Sequence, residues 1–250
     1  MEQNRRQFQG VLNILSFNRH YYVFGFAVLL SLFISRLFIE WPADVLWIIA
    51  SAFIYGLLIP LFVSAYVYDF SGYYRFDWLK QVFQEWPEAG LIVNINAGFD
   101  ETSFILKEKF PLSEIRVFDF YNSKRHTEPA IKRARKVSMI YPNTKTISSD
   151  SIPLQDKTVD VVFLLSAAHE IRSQEEKVML LKECHRLCKP GGKVVMVEHL
   201  RDFPNFLAFS VGFTHFFSRT TWRHAFEAAG FSTFNETKFT PFMSIFNCSH

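Results

Sequence analysis

Two histidines directly follow apolar runs that are typical of buried strands, and both have the chemistry to remove a proton from a substrate. His169 comes shortly after the run VDVVFLLS (159–166), and His199 follows the run KVVMVE (193–198). Because histidine titrates near neutrality, each is a candidate general base. Glu170 is the candidate orienting partner of His169. The alternative for each histidine is a structural hydrogen bond at a strand end, and for Glu170 a carboxylate at a helix start.

The elements that position these side chains alternate between apolar strands and helices. The pattern predicts strands at 91–95, 115–120, 144–148, 159–166 and 193–198, with two more near residues 233 and 242. Helices are predicted between them at 101–109, 129–137, 173–188 and 220–229. Apolar strands alternating with helices indicate a mostly parallel sheet covered on both faces. Such sheets bind ligands beyond the carboxyl ends of their strands, which is where functional residues are expected.

The segment from Val159 to Leu200 carries the motifs of a resemblance. Its strand has Asp160 near the start, and a helix, the turn LCKPGG (187–192) and a strand ending near Glu198 follow. The glycine pair allows the sharp reversal from helix to strand. This order resembles class I methyltransferases that use S-adenosylmethionine, and the likeness extends more weakly from about residue 91 to the C-terminus. It implies an α/β fold with a Rossmann-like, mostly parallel, seven-stranded sheet flanked by helices.

The resemblance also implies which residues bind S-adenosylmethionine. Asp119 lies 21 positions after Gly98, close to the spacing of about 20 at which such folds carry the ribose-binding carboxylate. A carboxylate there accepts hydrogen bonds from both ribose hydroxyls. Phe120 is expected beside the adenine, and Asp150, in the segment SDSIPL, near its amino group. The predicted cofactor site is completed by Asn94, Asn96, Ala97, Gly98, Ser151 and Ser166.

The first loop departs from the glycine-rich pattern of the family. The segment NINAGFD (94–100) keeps only Gly98 of three glycines. Asn96 is the expected stand-in, because asparagine tolerates left-handed backbone geometry. Asp100 or Glu101 is expected to meet the cofactor's amino group or to stabilise a helix start. A non-catalytic, methyltransferase-like membrane scaffold would also lose the glycines of this loop, and it stays an alternative. A nicotinamide-dependent oxidoreductase is a weaker alternative, because the G-x-G-x-x-G motif is absent.

Two long apolar segments precede this domain. Residues 21–39 contain one charge, Arg36, near the end, and residues 45–68 contain none. Each is about as long as the roughly 20 helical residues that cross a bilayer, and the short acidic segment 40–44 joins them. The alternative is a buried helical hairpin of a soluble protein. The predicted divisions are an N-terminal segment (1–20), a transmembrane hairpin (21–68), a connecting segment (69–88) and the methyltransferase-like domain (89–250).

Charge predicts the orientation of the hairpin and the nature of the substrate. Basic residues flank its outer ends, namely Arg5, Arg6 and Arg19 before it and Arg75 and Lys80 after it. The positive-inside rule therefore places the domain in the cytoplasm, and we expect a bacterial inner membrane. The Phe-rich segment 202–218 is expected to be a helix that packs in the core, lines a lipophilic acceptor pocket or touches the bilayer. His215 within it is a further active-site candidate. The expected partners are a small lipophilic substrate and the lipid bilayer.

Composition excludes other classes. The net charge of +3 is small, which argues against a nucleic-acid surface. Three cysteines are too few for a disulfide framework and fit a reducing compartment. Cys184 and Cys188, with His185 between them, lack further ligands at suitable spacing, so the sequence predicts no metal site. It contains no signal for a particular oligomeric state.

Overall fold

Seven strands form one mixed sheet at the centre of the C-terminal domain. The structure is a computed structural model that describes residues 5–83 and 90–249. The strands are β1 (Leu91–Asn96), β2 (Glu114–Asp119), β3 (Lys145–Thr146), β4 (Val159–Leu165), β5 (Cys188–His199), β6 (Thr233–Thr240) and β7 (Met243–Ser249). Their spatial order is β3-β2-β1-β4-β5-β7-β6. The first five strands pair in parallel, whereas β7 is antiparallel to both β5 and β6. The Rossmann-like prediction is confirmed.

The central strands are buried along almost their whole length, because helices cover both faces of the sheet. β1 and β4 each have a single residue that is less than fully buried, as is typical of parallel strands. The helices of the domain are α4 (Ser103–Lys109), α5 (Pro129–Ala134), α6 (Gln174–Leu187), α7 (Phe203–Phe209) and α8 (Arg219–Ala228). One core contains Ile131, Leu180 and Phe226 from α5, α6 and α8. The other contains Leu106 and Ala208 from α4 and α7.

β5 begins earlier than predicted, at Cys188 rather than near residue 193. The turn predicted from the glycine pair is therefore included in the strand, where the pairing with β4 shifts register. Gly191 has a φ of 82°, a conformation that side chains with a Cβ rarely adopt. At the same end of the sheet, Asp160 accepts a hydrogen bond from the backbone N–H of Leu91 and forms an ion pair with Lys189. Asp160 thus stabilises the amino edge of the sheet, away from the predicted site.

Among the residues that the structure describes, three α-helices precede the sheet: α1 (Gln9–Phe17), α2 (Arg19–Ser35) and α3 (Ala43–Ser64). α3 continues as a π-helical turn, Ala65–Phe70, and a 3-10 helix, Asp77–Gln81, follows. In the described part of the chain, one helix, Ala43–Phe70, is long and apolar enough to cross a membrane. α1 and α2 are long and apolar enough only when they are counted together as one span, which is bent by 75°. A core helix of a soluble protein can have the same length and composition, but it is mostly buried. Only 11% of the most apolar 18-residue stretch of Ala43–Phe70 is buried.

The N-terminal segment packs onto the domain. Arg5 forms an ion pair with Glu101, and Phe17 packs edge-on against Phe99 at 5.2 Å between ring centroids. The guanidinium of Arg133 donates to the backbone carbonyl of Phe17. α1 therefore covers the loop that follows β1. The predicted boundary at residues 88 and 89 lies outside the described residues.

The Phe-rich segment is not the single helix that was predicted. α7 ends at Phe209, and a 3-10 helix, Ser210–His215, follows. The break lies at Ser210, whose φ of 48° and ψ of −129° cannot continue an α-helix. Phe206 and Phe213 still contact each other, with ring centroids 5.2 Å apart. The break turns His215 back toward the end of β4.

Candidate active site

Asp119 ends β2 at the carboxyl edge of the sheet, where the ribose-binding carboxylate was predicted. Its Oδ1 accepts a hydrogen bond from the backbone N–H of Tyr121 at 2.8 Å. Its Oδ2 lies 2.7 Å from Nη1 of Arg135, which also donates to the carbonyl of Ala97 at 2.9 Å. The guanidinium stacks 4.0 Å above the Tyr121 ring. Arg135, which was not among the predicted site residues, therefore neutralises the Asp119 carboxylate.

The loop after β1 keeps its shape without the missing glycines. Asn96 Oδ1 accepts a hydrogen bond from the backbone N–H of Gly98 at 2.7 Å. The prediction that Asn96 supplies a left-handed residue is wrong, because Asn96 is not among the residues with positive φ. Its side chain closes the turn instead. Gly98 itself has a φ of 80°, and a Cβ there would lie 1.3 Å from Arg135 Nη1.

Two further polar residues of this loop stabilise the turn into α4. Asn94 is buried and donates to the hydroxyls of Thr102 and Ser103 at 3.0 and 2.8 Å. Asp100 Oδ1 accepts from the backbone N–H groups of the same two residues, both at 2.9 Å. Asp100 thus has the helix-start role. Asn94, predicted to bind the cofactor, instead holds β1 against α4, because its side chain is directed into the protein.

The other predicted cofactor residues are dispersed. Phe120 is buried in the core against His126, and the ring beside Asp119 is that of Tyr121. Asp150 is exposed in the turn after β3, and Ser151 bridges to Ser148. Ser166 directly follows β4 and has a φ of 50°. Its hydroxyl lies 3.0 Å from the Tyr73 hydroxyl. Only this last residue has the strained backbone that is common at functional sites.

His169 lies between two buried carboxylates just after β4. Its Nδ1 is 2.7 Å from Glu198 Oε2, and its Nε2 is 3.4 Å from Glu170 Oε1. Its backbone N–H also donates to Glu198 at 3.2 Å. The orienting partner predicted for His169 was Glu170. Glu198 makes the shorter contact, because β5 ends beside β4.

The charges around His169 change its expected role. Burial lowers the pKa of His169, but the attraction of Glu198 and the hydrogen bonds of both carboxylates outweigh burial and raise the pKa to about 10. An imidazole with that pKa carries a proton at neutral pH and is not a free general base. The ring of His215 lies 5.0 Å from that of His169.

His199 joins the domain to the apolar helix α3. Its Nδ1 faces two oxygens, Asn205 Oδ1 at 3.1 Å and the Phe242 carbonyl at 2.9 Å, so Nδ1 carries the proton. Its Nε2 then accepts a hydrogen bond from the Tyr68 hydroxyl at 2.9 Å. Burial lowers the pKa of His199 to about 4. Both ring nitrogens thus have protein partners, and His199 is neutral at pH 7.

Tyrosines from the segment after α3 contact the same edge of the sheet. Tyr73 contacts Ser166, and the Tyr74 hydroxyl donates to Glu101 at 2.5 Å. Glu101 also accepts from Arg5, whose guanidinium stacks 3.5 Å above the Tyr74 ring. These tyrosines are not predictable as site residues from the sequence, because their only signal is aromatic density beside an apolar segment. The carboxyl edge is therefore formed by the domain and the N-terminal region together.

Comparison with known proteins shows what the chain is similar to. Residues 98–196 match a family model described as a methyltransferase domain. The fold resembles the crystal structure of an S-adenosylmethionine-dependent methyltransferase from Aquifex aeolicus. That match has a TM-score of 0.50 at 17% identity, covering 72% of this chain and 93% of the other. The PH0226 protein from Pyrococcus horikoshii OT3 also has a TM-score of 0.50 at 17% identity, covering 69% and 85%. No curated protein matches the sequence significantly.

Residues 98–196 are therefore similar to a methyltransferase domain, and the likeness to the solved structures shows the fold. The cofactor of such a domain is S-adenosylmethionine. The residues at the carboxyl edge fit this cofactor in chemical type. Asp119 supplies a carboxylate for a vicinal diol, and the glycine at position 98 permits close approach by a ligand. Asn96 Nδ2 and Asp100 Oδ2 are buried polar atoms of the same loop with no partner among the described residues. Arg135 has to move before Asp119 can bind a ribose.

Proposed function

We propose that this methyltransferase acts at a membrane surface on a small lipophilic acceptor. S-adenosylmethionine, when bound, supplies a methyl group on a positively charged sulfonium. The observation that carries the proposal is the hydrogen bond from Tyr68 to His199. Tyr68 belongs to the apolar helix Ala43–Phe70, and His199 ends β5 at the catalytic edge. The helix with the composition of a membrane span therefore ends beside the site.

A second apolar surface supports a lipophilic acceptor. Four side chains of α7 and the following 3-10 helix are exposed, and we call them the apolar rim: Phe203, Phe206, Leu207 and Val211. The Tyr55 hydroxyl of α3 donates to the backbone carbonyl of Leu207 at 2.7 Å, which fixes the rim beside the apolar helix. Large exposed apolar patches are typical of lipid or ligand contact. An acceptor leaving the bilayer would meet the rim before His169.

A transmembrane hairpin of α2 and α3 is part of the proposal. The two helices approach closely at Gly25, where an added Cβ would lie 2.8 Å from Leu57 Cδ2. Phe33 and Trp47 contact each other nearer the connecting loop, with ring centroids 6.1 Å apart. Small residues at such contacts are typical of helices that associate in membranes. The basic flanks would place the catalytic domain in the cytoplasm.

The test uses the full-length protein in liposomes with labelled S-adenosylmethionine. Acceptors are compared in pairs that share one methylatable group and differ only in hydrocarbon length. We expect transfer to increase with hydrocarbon length. Val211→Asp should raise the KM for the longer acceptor about tenfold, which corresponds to ~1.4 kcal/mol of lost apolar contact.

Leu112→Asp is the matched control, because Leu112 is 83% exposed, Val211 is 82% exposed, and Leu112 precedes β2 at the opposite edge of the sheet. It should leave this KM unchanged. Efficient methylation of the short, water-soluble member of each pair, with no response to Val211→Asp, would contradict a lipophilic acceptor.

A further inference from the structure

We propose that His169, Glu170 and His215 bind a divalent transition-metal ion at the carboxyl edge of β4. One ligand atom from each residue can be chosen so that all three lie within 4.8 Å of one another. His169 Nε2 and Glu170 Oε1 are 3.4 Å apart. Two ligands of a tetrahedral ion at about 2.0 Å from it lie roughly 3.3 Å from each other. This pair already has the required spacing, and the ligand atom of His215 lies within 4.8 Å of both.

The second nitrogen of His169 has the partner that metal-bound histidines usually have. Nδ1 lies 2.7 Å from Glu198 Oε2, and the carboxylate of Glu198 is fully buried. A hydrogen bond from one imidazole nitrogen to a carboxylate fixes the ring and leaves the other nitrogen to bind the ion. In this arrangement Nδ1 serves the hydrogen bond, and Nε2 faces Glu170. Glu198 is then a positioning residue for the ion.

Glu170 has an unused oxygen inside the protein. The residue is 6% exposed, and its Oε2 has no hydrogen-bond partner among the described residues. A buried carboxylate oxygen without a partner is costly unless a cation or donor satisfies it. Glu170 and Glu198 together bring two negative charges to one imidazole. On binding, the ion displaces the Nε2 proton of His169 to solvent, and a divalent ion with two neutral histidines then balances both charges.

One arginine holds the two histidines in place through their backbones. Arg172 Nη1 donates to the carbonyl of His215 at 2.6 Å and to that of His169 at 3.3 Å. His169 follows β4 and His215 ends the 3-10 helix after α7, so they are 46 positions apart in the sequence. The arginine therefore fixes the relative position of two distant segments. Rigid support of this kind is what a binding site requires.

The donor set indicates which ions bind. Two imidazole nitrogens and one carboxylate oxygen suit Zn²⁺ or Co²⁺, whereas Mg²⁺ and Ca²⁺ prefer oxygen ligands. Three protein ligands leave a fourth position for water or for a heteroatom of a bound molecule. The ion-binding proposal does not depend on the nature of the acceptor, because the site consists of side chains of the folded chain alone.

The test measures ion binding by the full-length, detergent-solubilised protein without cofactor or acceptor. Chelator-treated protein is titrated with Zn²⁺ by calorimetry and with Co²⁺ by visible absorption, which reports four-coordinate cobalt. We expect about one ion per chain. His215→Ala and Glu170→Gln should abolish the cobalt absorption. Glu198→Gln should weaken binding about 10- to 100-fold, as loss of a supporting carboxylate does.

His224→Ala is the matched control, because His224 is an exposed histidine on α8. It should leave binding unchanged. His215 is only partly buried, so His215→Ala should fold even if Glu170→Gln does not, and thermal melting checks this. No binding of either ion by the wild type would overturn the proposal. Equal binding by the wild type and a folded His215→Ala protein would also overturn it.

Discussion

Arg135 is expected to compete with the cofactor for Asp119. The Asp119 carboxylate is 10% exposed and the Arg135 side chain 30%, and their ion pair spans 2.7 Å. A partly buried, charge-assisted pair of this kind stabilises its arrangement by ~1.4 kcal/mol. At that value the carboxylate is free in about one molecule in ten. The apparent Kd for S-adenosylmethionine is then about tenfold weaker than that of the open site.

Arg135→Gln removes the charge and keeps a polar side chain. We expect it to bind S-adenosylmethionine about tenfold more tightly than the wild type, measured by calorimetry of the full-length protein. Salt should strengthen binding by the wild type, because it screens the ion pair, and this response should shrink in the variant. Lys132→Gln is the control, since Lys132 is an exposed cation of the same helix.

Weaker binding by Arg135→Gln would refute this reasoning. It would mean that Arg135 holds the Ala97 carbonyl and the loop in a binding shape, or that it contacts the cofactor itself. An unchanged Kd would mean that the ion pair costs nothing to open. Asp119→Asn is the control for loss of the cofactor site. It should weaken binding whatever the role of Arg135, because binding through the ribose hydroxyls requires the carboxylate.

Three further predictions concern single side chains. Gly98→Ala should abolish cofactor binding and lower the melting temperature, because the residue has a φ of 80° and its Cβ would meet Arg135 and Asp119. Tyr68→Phe should destabilise the full-length protein by ~1–3 kcal/mol, since it leaves a buried imidazole nitrogen unpaired; Tyr55→Phe, whose hydrogen bond is exposed, should cost less, and equal melting temperatures would contradict this. The pKa of His199 falls from 6.5 to about 4 on folding, so the unfolded chain binds the proton more readily. The stabilisation is complete above pH ~6.5 and falls by ~3 kcal/mol as the pH drops toward 4. Denaturation of wild type and His199→Gln at several pH values should show this difference in slope, and parallel slopes would contradict it.

The parallel pairing of the first strands was predictable because it follows from local patterns. Continuous apolar runs such as 159–165 bury both faces, and the helices between them force parallel pairing. The boundaries were less predictable. The early start of β5 depends on its register with β4, and the break at Ser210 depends on a backbone conformation that serine rarely adopts. Neither has a local sequence signal.

The site was only partly predictable, because its groups come from distant segments. Asp119 and His169 were found from their places at strand ends. Glu198 was noted as a motif residue, but its contact with His169 requires the pairing of β4 with β5. Arg135 lies 16 positions after Asp119, within a run of basic residues that resembles a solvated helix face. No spacing rule distinguishes it from Lys132 or Lys136.

The N-terminal region contributes side chains to the carboxyl edge of the sheet and is not a separate anchor. Glu101, in the loop after β1, accepts hydrogen bonds from Arg5, Asn13 and Tyr74, all of which precede the domain in sequence. Because Glu101 directly follows Asp100, the same contacts hold the loop that contains Gly98. One carboxylate therefore joins the loop after β1 to the N-terminal region. A substitution that breaks the contacts of Glu101 should therefore disturb both the loop that contains Gly98 and the packing of the N-terminal region.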